Sequence, residues 1–439
     1  MGEPRAVVVG GGPCGVSLAL WLARAGWAVA LMEATPAGAD RPYRGEGLMP
    51  SGVEALAAMG LWPLPPGVPH RRLEGWAMVV ERRPLFDAAE PLGGDRGCWL
   101  VDQDALLAEL RGELAALGGV ELLEGCAVRE VLTAQGPSAR VRGVLLADGR
   151  RRLADLVVGC DGRHSLLRQR GDLALEAERT GEEVLWFRLA GPAVRPLERW
   201  LGGRFLTVVG PGLSFALFQE AAGEALRLGW VAESGVQRPD DPAGWRAIWC
   251  GALPEEGAEC LRRVPVAAIS GPQRFPVRVG WAPRWHRPGL LVLGDAAHPM
   301  SPVRAQGLNM ALRDALVAGR LLAPLAAGAT TEPSSVTGAD GRPPAEGEQA
   351  EGEMAEAERA GRIDAVLPRI AARRLPEIRL VQELQAREAG LGALLRQRDG
   401  LRQLLAATLP WSGWVARRGW IQRQHRLRQG RPDALELPE

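Results

Sequence analysis

The sequence of 439 residues contains no lysine: all 53 of its basic side chains other than histidine are arginine. This excludes Schiff-base and lysine-nucleophile chemistry, which need a primary amine able to lose its proton. A single tyrosine, Tyr43, leaves little from which to build a relay of phenolic hydroxyls. A surplus of one charge is also lacking. The formal net charge of +1 offers no global attraction to nucleic acid or to an anionic membrane as a primary partner. The six cysteines (Cys14, Cys98, Cys126, Cys160, Cys250, Cys260) are scattered, with no C-x-x-C pair and no secretory segment, which points to a reducing cytoplasm. The apolar run from Val16 to Met32 is broken by Arg24 and Gly26, so a helix and a strand explain it better than a membrane span.

What is present begins with AVVVGGGPCGVSLALWLARAGWAVALMEA, residues 6–34. Ala6 to Val9 predicts a short buried strand, and Gly10-Gly11-Gly12-Pro13-Cys14-Gly15 turns directly into a helix ending near Ala25. The pattern G-x-G-x-x-G in this context suits a dinucleotide. Gly10 permits the turn, Gly12 lets backbone approach a pyrophosphate, and Gly15 allows close packing of helix on strand. The helix N-terminus presents unpaired N–H groups to the phosphates. Trp27 to Met32 reads as a second strand closing on Glu33, placed for a ribose hydroxyl. The plainer alternative, a structural turn, explains the glycines but not the acid in register.

Further along, a helix is predicted from about Ser51 to Met59 and another from about Gln103 to Leu117. Between about 176 and 278, separated strands such as EVLWFRLAG, RFLTVVG and LSFALFQE predict a mostly antiparallel sheet. Residues 328–352 are small, polar and proline-rich and read as a flexible insertion, followed by helices over 353–439. Two more motifs carry chemistry. DLVVGCDGRHSLLR, residues 155–168, puts Asp161-Gly162 at a strand end with Ser165 and Arg168 beyond. LLVLGDAAHPMSPVRAQGLNMALRDA, residues 290–315, does the same with Gly294-Asp295. A carboxylate at a strand end can hold a polyol, and a following helix N-terminus can stabilise an anionic ring, a pairing that suits a flavin.

These three fingerprints, in order over roughly residues 5–325, resemble the FAD-dependent aromatic hydroxylases of the para-hydroxybenzoate hydroxylase type, the group A flavoprotein monooxygenases. The resemblance implies an α/β fold. A Rossmann-like FAD-binding domain (1–68, 97–175 and 279–327) would interleave with a mostly antiparallel β-sheet substrate domain (69–96 and 176–278), ahead of the helical C-terminal region. It implies FAD contacts from Gly10, Gly12, Pro13, Cys14, Gly15, Glu33, Arg44, Gln103, Asp161, Arg168, Asp295, Gly307, Leu308 and Asn309. NADPH or NADH would reduce the flavin without a second glycine fingerprint, because in this family the donor docks transiently on the same flavin.

The implied activity is hydroxylation or epoxidation of a hydrophobic aromatic or polyketide-like small molecule with O2, through a flavin C4a-hydroperoxide. Candidate catalytic residues are Arg304 and Pro302, in the loop expected beside the flavin ring, and His298, a residue type able to act as a general base, for which a structural or cofactor-supporting role is the commoner reading. Many relatives carry a small residue at the position of Arg304. Its cation either binds an acidic substrate or reduced flavin, or points outward to a surface partner. Halogenases of related architecture need a lysine near the flavin and are excluded. A reductase of the prenyl reductase type and a non-catalytic FAD-binding protein remain as alternatives. Trp411, Trp414 and Trp420 alternate with Arg417, Arg418 and Arg423. Core packing is the commoner reading of such a segment and peripheral membrane contact the lesser one. Oligomeric state is left open.

Overall fold

The computed structural model describes residues 3–39, 43, 45–92, 96–134, 139–223, 225–233, 238–326, 346–431, 433 and 435. Eleven α-helices occur among them: α1 (Pro13–Arg24), α2 (Pro50–Ala58), α3 (Gln103–Ala115), α4 (Leu166–Arg170), α5 (Arg195–Leu201), α6 (Pro242–Ala252), α7 (Glu255–Arg262), α8 (Gln306–Leu322), α9 (Glu346–Gln397), α10 (Asp399–Ala407) and α11 (Trp411–Gln429).

A six-stranded sheet runs in the order His286–Arg287, Leu290–Val292, Leu156–Gly159, Arg5–Val9, Ala28–Glu33, Val120–Glu124. It is parallel except for the short edge strand His286–Arg287. Its central strands are apolar almost throughout, as helices on both faces require. α1 and α8 pack on each other across the first crossover. The sheet brings all three fingerprints together: the glycine turn, Asp161-Gly162 and Gly294-Asp295 follow three adjacent strands at their carboxyl ends, where open α/β sheets bind ligands.

A second, seven-stranded sheet has the order Ile269–Pro276, Glu182–Ala190, Ala225–Glu233, Leu213–Gln219, Arg204–Gly210, Gly75–Val80, Arg83–Ala89. All its pairs are antiparallel except Arg204–Gly210 with Gly75–Val80. Strand alternation divides its side chains between two cores. Phe187, Phe215, Leu206 and Val208 meet α5 to α7 on one face. Trp76, Phe205, Trp186 and Phe218 project from the other, toward the nucleotide domain and α11. His70–Arg72 does not join this sheet. It pairs with Trp99–Val101, which pairs in turn with Gly47–Leu48.

Of the insertion expected over 328–352, residues 328–345 lie outside the described residues, and 346–352 form the start of α9. That end of the expected insertion is therefore corrected to helix: glutamate, glutamine and alanine dominate the sequence there, and all three are good helix formers. α9 extends to Gln397 and carries Pro368 and Pro376.

The core behind the sheet yields a stability prediction. Trp249 is fully buried and meets Phe187 edge-on with ring centroids 4.8 Å apart. Trp249→Ala should cost about 3–5 kcal/mol, read as a lowered midpoint in chemical denaturation.

Candidate active site

The glycine turn has the shape that a pyrophosphate cradle needs. Gly10 has φ +105°, and a Cβ there would sit 2.2 Å from the Cys160 carbonyl oxygen. At Gly15 a Cβ would sit 1.9 Å from the carbonyl oxygen of Gly10, so only glycine lets α1 start this close to its strand. Gly12, by contrast, faces open space: a Cβ there would meet nothing within 4 Å. It is also the N-cap of α1, no side chain caps it, and Pro13 occupies the first turn. The orphan N–H groups there are left for an anion. Cys14 packs against Gly294 and Cys160, joining the first and third fingerprints. Its thiol is raised well above the ordinary range by the hydrogen bond with Cys160 and then by burial, so it packs rather than reacts.

Glu33 closes the second strand of the sheet, beside the glycine turn. Its Oε2 accepts from the Gly11 N–H at 3.0 Å and its Oε1 from the Thr35 N–H at 2.8 Å, which fixes the carboxylate beside the glycine turn. Arg111 on α3 donates to the Gly11 carbonyl at 2.6 Å. Gln103 opens α3, whose N-cap Asp102 accepts from Ala105 N–H. Arg44 lies outside the described residues.

Asp161 is turned toward its own helix. Its Oδ1 accepts from Ser165 at 2.5 Å and its Oδ2 from the Leu167 N–H at 3.1 Å. Burial raises its carboxyl, with these hydrogen bonds opposing. Arg168 is buried and donates to the Ala296 carbonyl at 2.7 Å, so it ties the second fingerprint to the third instead of reaching a solvent-side phosphate. Asp295 stands close to Gly307: a Cβ on Gly307 would lie 3.8 Å from its Oδ1. That places a carboxylate beside the first turn of α8, where Gly307 and Leu308 offer N–H groups and no side chain caps the helix. The Asn309 side chain is committed to backbone. Its oxygen accepts from Met49 N–H at 2.8 Å, and its amide donates to Gly47 and Ala305 carbonyls at 3.1 and 2.7 Å. It joins the 45–49 loop to the helix start.

His298 is buried, its ring lies 5.0 Å from that of Trp285, and its Nε2 is 2.5 Å from Asp314 Oδ2. The same oxygen accepts from Gly294 N–H at 2.9 Å, while Oδ1 accepts from Arg374 Nε at 2.7 Å. Burial pushes the Asp314 carboxyl up, but His298 and Arg374 outweigh it and hold it below its ordinary range. This geometry makes His298 a positioning residue for the Gly294-Asp295 turn.

Arg304 does not point outward. It follows Pro302 in a loop where Arg304 and Ala305 both take left-handed conformations, φ +59° and +49°, a strain of order 1–3 kcal/mol per residue. The guanidinium lies 5.0 Å from the ring centre of Trp76, 5.2 Å from Trp420 and 5.9 Å from Phe205. Its Nε donates to Glu388 at 2.6 Å, and Gln424 holds the other oxygen of Glu388 at 2.6 Å. Glu388 and Trp420 come from α9 and α11; no spacing in the sequence marks Glu388, and Trp420 stood out only in its alternation with arginines, not as a partner of Arg304.

A second missed group is Glu46. Its Oε2 accepts from Ala221 N–H at 2.9 Å. Its loop packs against Ala305 through Gly45 and Gly47. Burial pushes this carboxyl up to about 7 against an ordinary 4.5, with Glu220 and Asp102 adding to the rise and Ala221 N–H and Arg227 opposing it. Tyr43, whose hydroxyl is also buried, lies beneath Arg227 at 4.0 Å and meets Trp186 edge-on at 4.9 Å. Its hydroxyl is raised well above the ordinary range, first by burial and then by Glu46.

The described residues hold no cluster fit for a metal ion and no helix long and apolar enough to cross a membrane.

The sequence profile described as FAD binding domain matches residues 3–334. The chain is 33% identical over 339 residues to 6-methylpretetramide 4-monooxygenase of Streptomyces rimosus, covering 72% of this chain and 74% of that one. It is 28% identical over 323 residues to 3-demethoxyubiquinol 3-hydroxylase of Escherichia coli strain K12, covering 70% and 76%. In three dimensions it is similar to Pseudomonas aeruginosa PqsL in complex with 2-aminobenzoylacetate (TM-score 0.68, 20% identity, 92% and 99% covered). It is also similar to Klebsiella pneumoniae HpxO complexed with FAD and uric acid (TM-score 0.67, 19% identity, 97% of each covered).

Two outcomes test this site. Gly15→Ala forces α1 away from its strand, so the purified variant should retain FAD at least about tenfold more weakly, measured by flavin absorbance after dialysis. For Glu46 the folded carboxyl holds its proton more tightly than the unfolded chain does. Stability is therefore lost as pH rises from about 4.5 to about 7. Glu46→Gln keeps an acceptor for Ala221 N–H and should gain up to about 3 kcal/mol above that range, and nothing below it, in urea titrations at both ends.

Proposed function

Because this chain belongs to the FAD binding domain family of monooxygenases, we propose that it uses NADPH or NADH and O2 to hydroxylate or epoxidise a hydrophobic aromatic or polyketide-derived small molecule. The observation that carries this reading is the facing of two surfaces. The aromatic side of the second sheet, Trp76, Trp186, Phe205 and Phe218, lies against the loops 45–49 and 301–308 that adjoin the nucleotide-binding turns. An apolar wall with a few polar groups is the usual form of a small-molecule site. The relative named 6-methylpretetramide 4-monooxygenase supports oxygenation of a small-molecule substrate.

FAD, when bound, would supply the redox chemistry, and the nicotinamide donor its electrons. The chain's own residues do the rest. The first turn of α1 and Glu33 would hold the pyrophosphate and ribose, while Asp295 and the N–H groups of Gly307 and Leu308 would serve the flavin end. The aromatic side of the sheet excludes water. Glu46, whose carboxyl is pushed up to about 7, is suited to take the proton from a substrate hydroxyl on its carboxylate. The O–H electron pair then stays on the substrate oxygen and enriches the ring carbon to be oxygenated. Arg304 holds a fixed cation beside the same wall, where an acidic substrate group can share it with Glu388.

Anaerobic reduction of the flavoprotein by NADPH, followed by rapid mixing with oxygenated buffer, tests this function. A spectral transient preceding the return of oxidised flavin is expected. Monotonic return without a transient would favour a reductase, and protein purified without flavin would overturn the enzymatic reading.

A further inference from the structure

Exposed large apolar side chains are concentrated in one place. Of the eight among the described residues, six (Leu391, Leu394, Leu404, Trp411, Trp414 and Val415) fall within 25 residues of the C-terminal helices. Trp411, Trp414 and Leu404 are 69%, 60% and 59% exposed. The α10 to α11 corner is therefore an apolar projection, continued by the exposed Ala407 and Pro410. Trp420, two to three turns further along α11, shows the contrast: it is 5% exposed and packs on Trp76 and Phe86. One end of α11 is thus part of the substrate-facing aromatic cluster, and the other end presents two indoles to solvent.

The charge carried by this C-terminal segment is almost all of one sign, with Asp87 and Glu81 of the neighbouring strands the acids that approach it. Arg398, Arg417, Arg418, Arg423 and Arg426 are exposed, and within 391–430 Asp399 is the single acid, paired with the buried Arg402. The guanidinium of Arg418 stands 5.8 Å from the ring centre of Trp414, and Arg417 donates to the Asp87 carbonyl at 3.0 Å, its charge unneutralised by that contact. The near-zero net charge of the whole chain conceals this segregation. Such a field acts within about a Debye length of ~8 Å at physiological salt, so it is felt by a surface that the corner touches.

We propose that the α10 to α11 corner docks on an anionic lipid bilayer, with Trp411, Trp414 and Leu404 at the acyl boundary and the flanking arginines at the head groups. Indoles prefer that boundary, and arginine extends its charge to phosphate while burying its stem. A second copy of this chain fits the corner worse, because symmetric pairing would set one arginine cluster against the other. The nine residue steps from Trp411 to Trp420 span about 14 Å of helix, so the docked edge lies within a short reach of the aromatic wall. This inference does not depend on which reaction the enzyme performs.

Sedimentation of the FAD-loaded protein with phosphatidylcholine vesicles, with and without phosphatidylglycerol, tests the proposal. Binding is expected on the phosphatidylglycerol vesicles and should weaken as salt is raised. Trp411→Ser with Trp414→Ser should lower partitioning by about tenfold or more, while flavin retention and melting temperature stay unchanged. Arg417→Glu with Arg418→Glu should lower it as well, leaving the indoles intact. Absence of binding to phosphatidylglycerol vesicles, or equal binding by the wild type and the tryptophan variant, would overturn it. So would a concentration-dependent dimer in light scattering that the tryptophan variant abolishes while vesicle binding is unaffected.

Discussion

The buried carboxylate of Asp314 is the point on which the rest of the site depends. Three structural units meet at its two oxygens: the Gly294-Asp295 turn through Gly294 N–H, the motif histidine through Nε2, and α9 through Arg374. The pairing continues from Arg374 to Glu377 and from Glu377 to Arg313 at 2.8 Å, with all four charged side chains fully buried. Two carboxylates and two guanidiniums balance, which is what makes burial of such charges tolerable. Removing one member would leave an unpaired buried charge at a cost of about 3–5 kcal/mol. The network fixes the third fingerprint and α9 as one unit.

Because α9 is fixed there, its far end can deliver chemistry. Glu388 reaches Arg304 across 84 residues of sequence, and Gln424 of α11 holds Glu388 in place. Arg428 of the same helix pairs with the buried Glu90 at 2.6 Å, and Glu90 also accepts from the Trp76 indole. The C-terminal helices therefore form a wall of the candidate substrate region, beyond the share of the chain matched by the family profile. The left-handed backbone at Arg304 and Ala305 persists because this wall and the 45–49 loop hold both sides of it.

Much of the nucleotide half was legible in the sequence. The turn at Gly10 to Gly15 is decided by contacts of the backbone with its immediate neighbours, and strand, turn and helix follow one another without a gap. Asp161-Gly162 and Gly294-Asp295 were recognisable for the same reason, although the structure turns the Asp161 carboxylate onto its own helix and Arg168 inward to Ala296. A motif records which residues recur at a place; it does not record which of them face a ligand. Asn309 shows the same limit, since its amide is consumed by Gly47, Met49 and Ala305.

Sequence by itself determined the α/β class, the order of the three fingerprints and the antiparallel character of the second sheet, because periodicity and turn chemistry act over a few residues. Only the tertiary structure decided that Arg304 points into an aromatic box, that Glu46 is a carboxyl balanced near neutrality, and that Trp411 and Trp414 are exposed while Trp420 is buried. The physical reason is common to all three. Burial, ion pairing and cation–aromatic contact depend on groups tens to hundreds of residues away, and their strength is set by a local dielectric that exists only after the chain has packed.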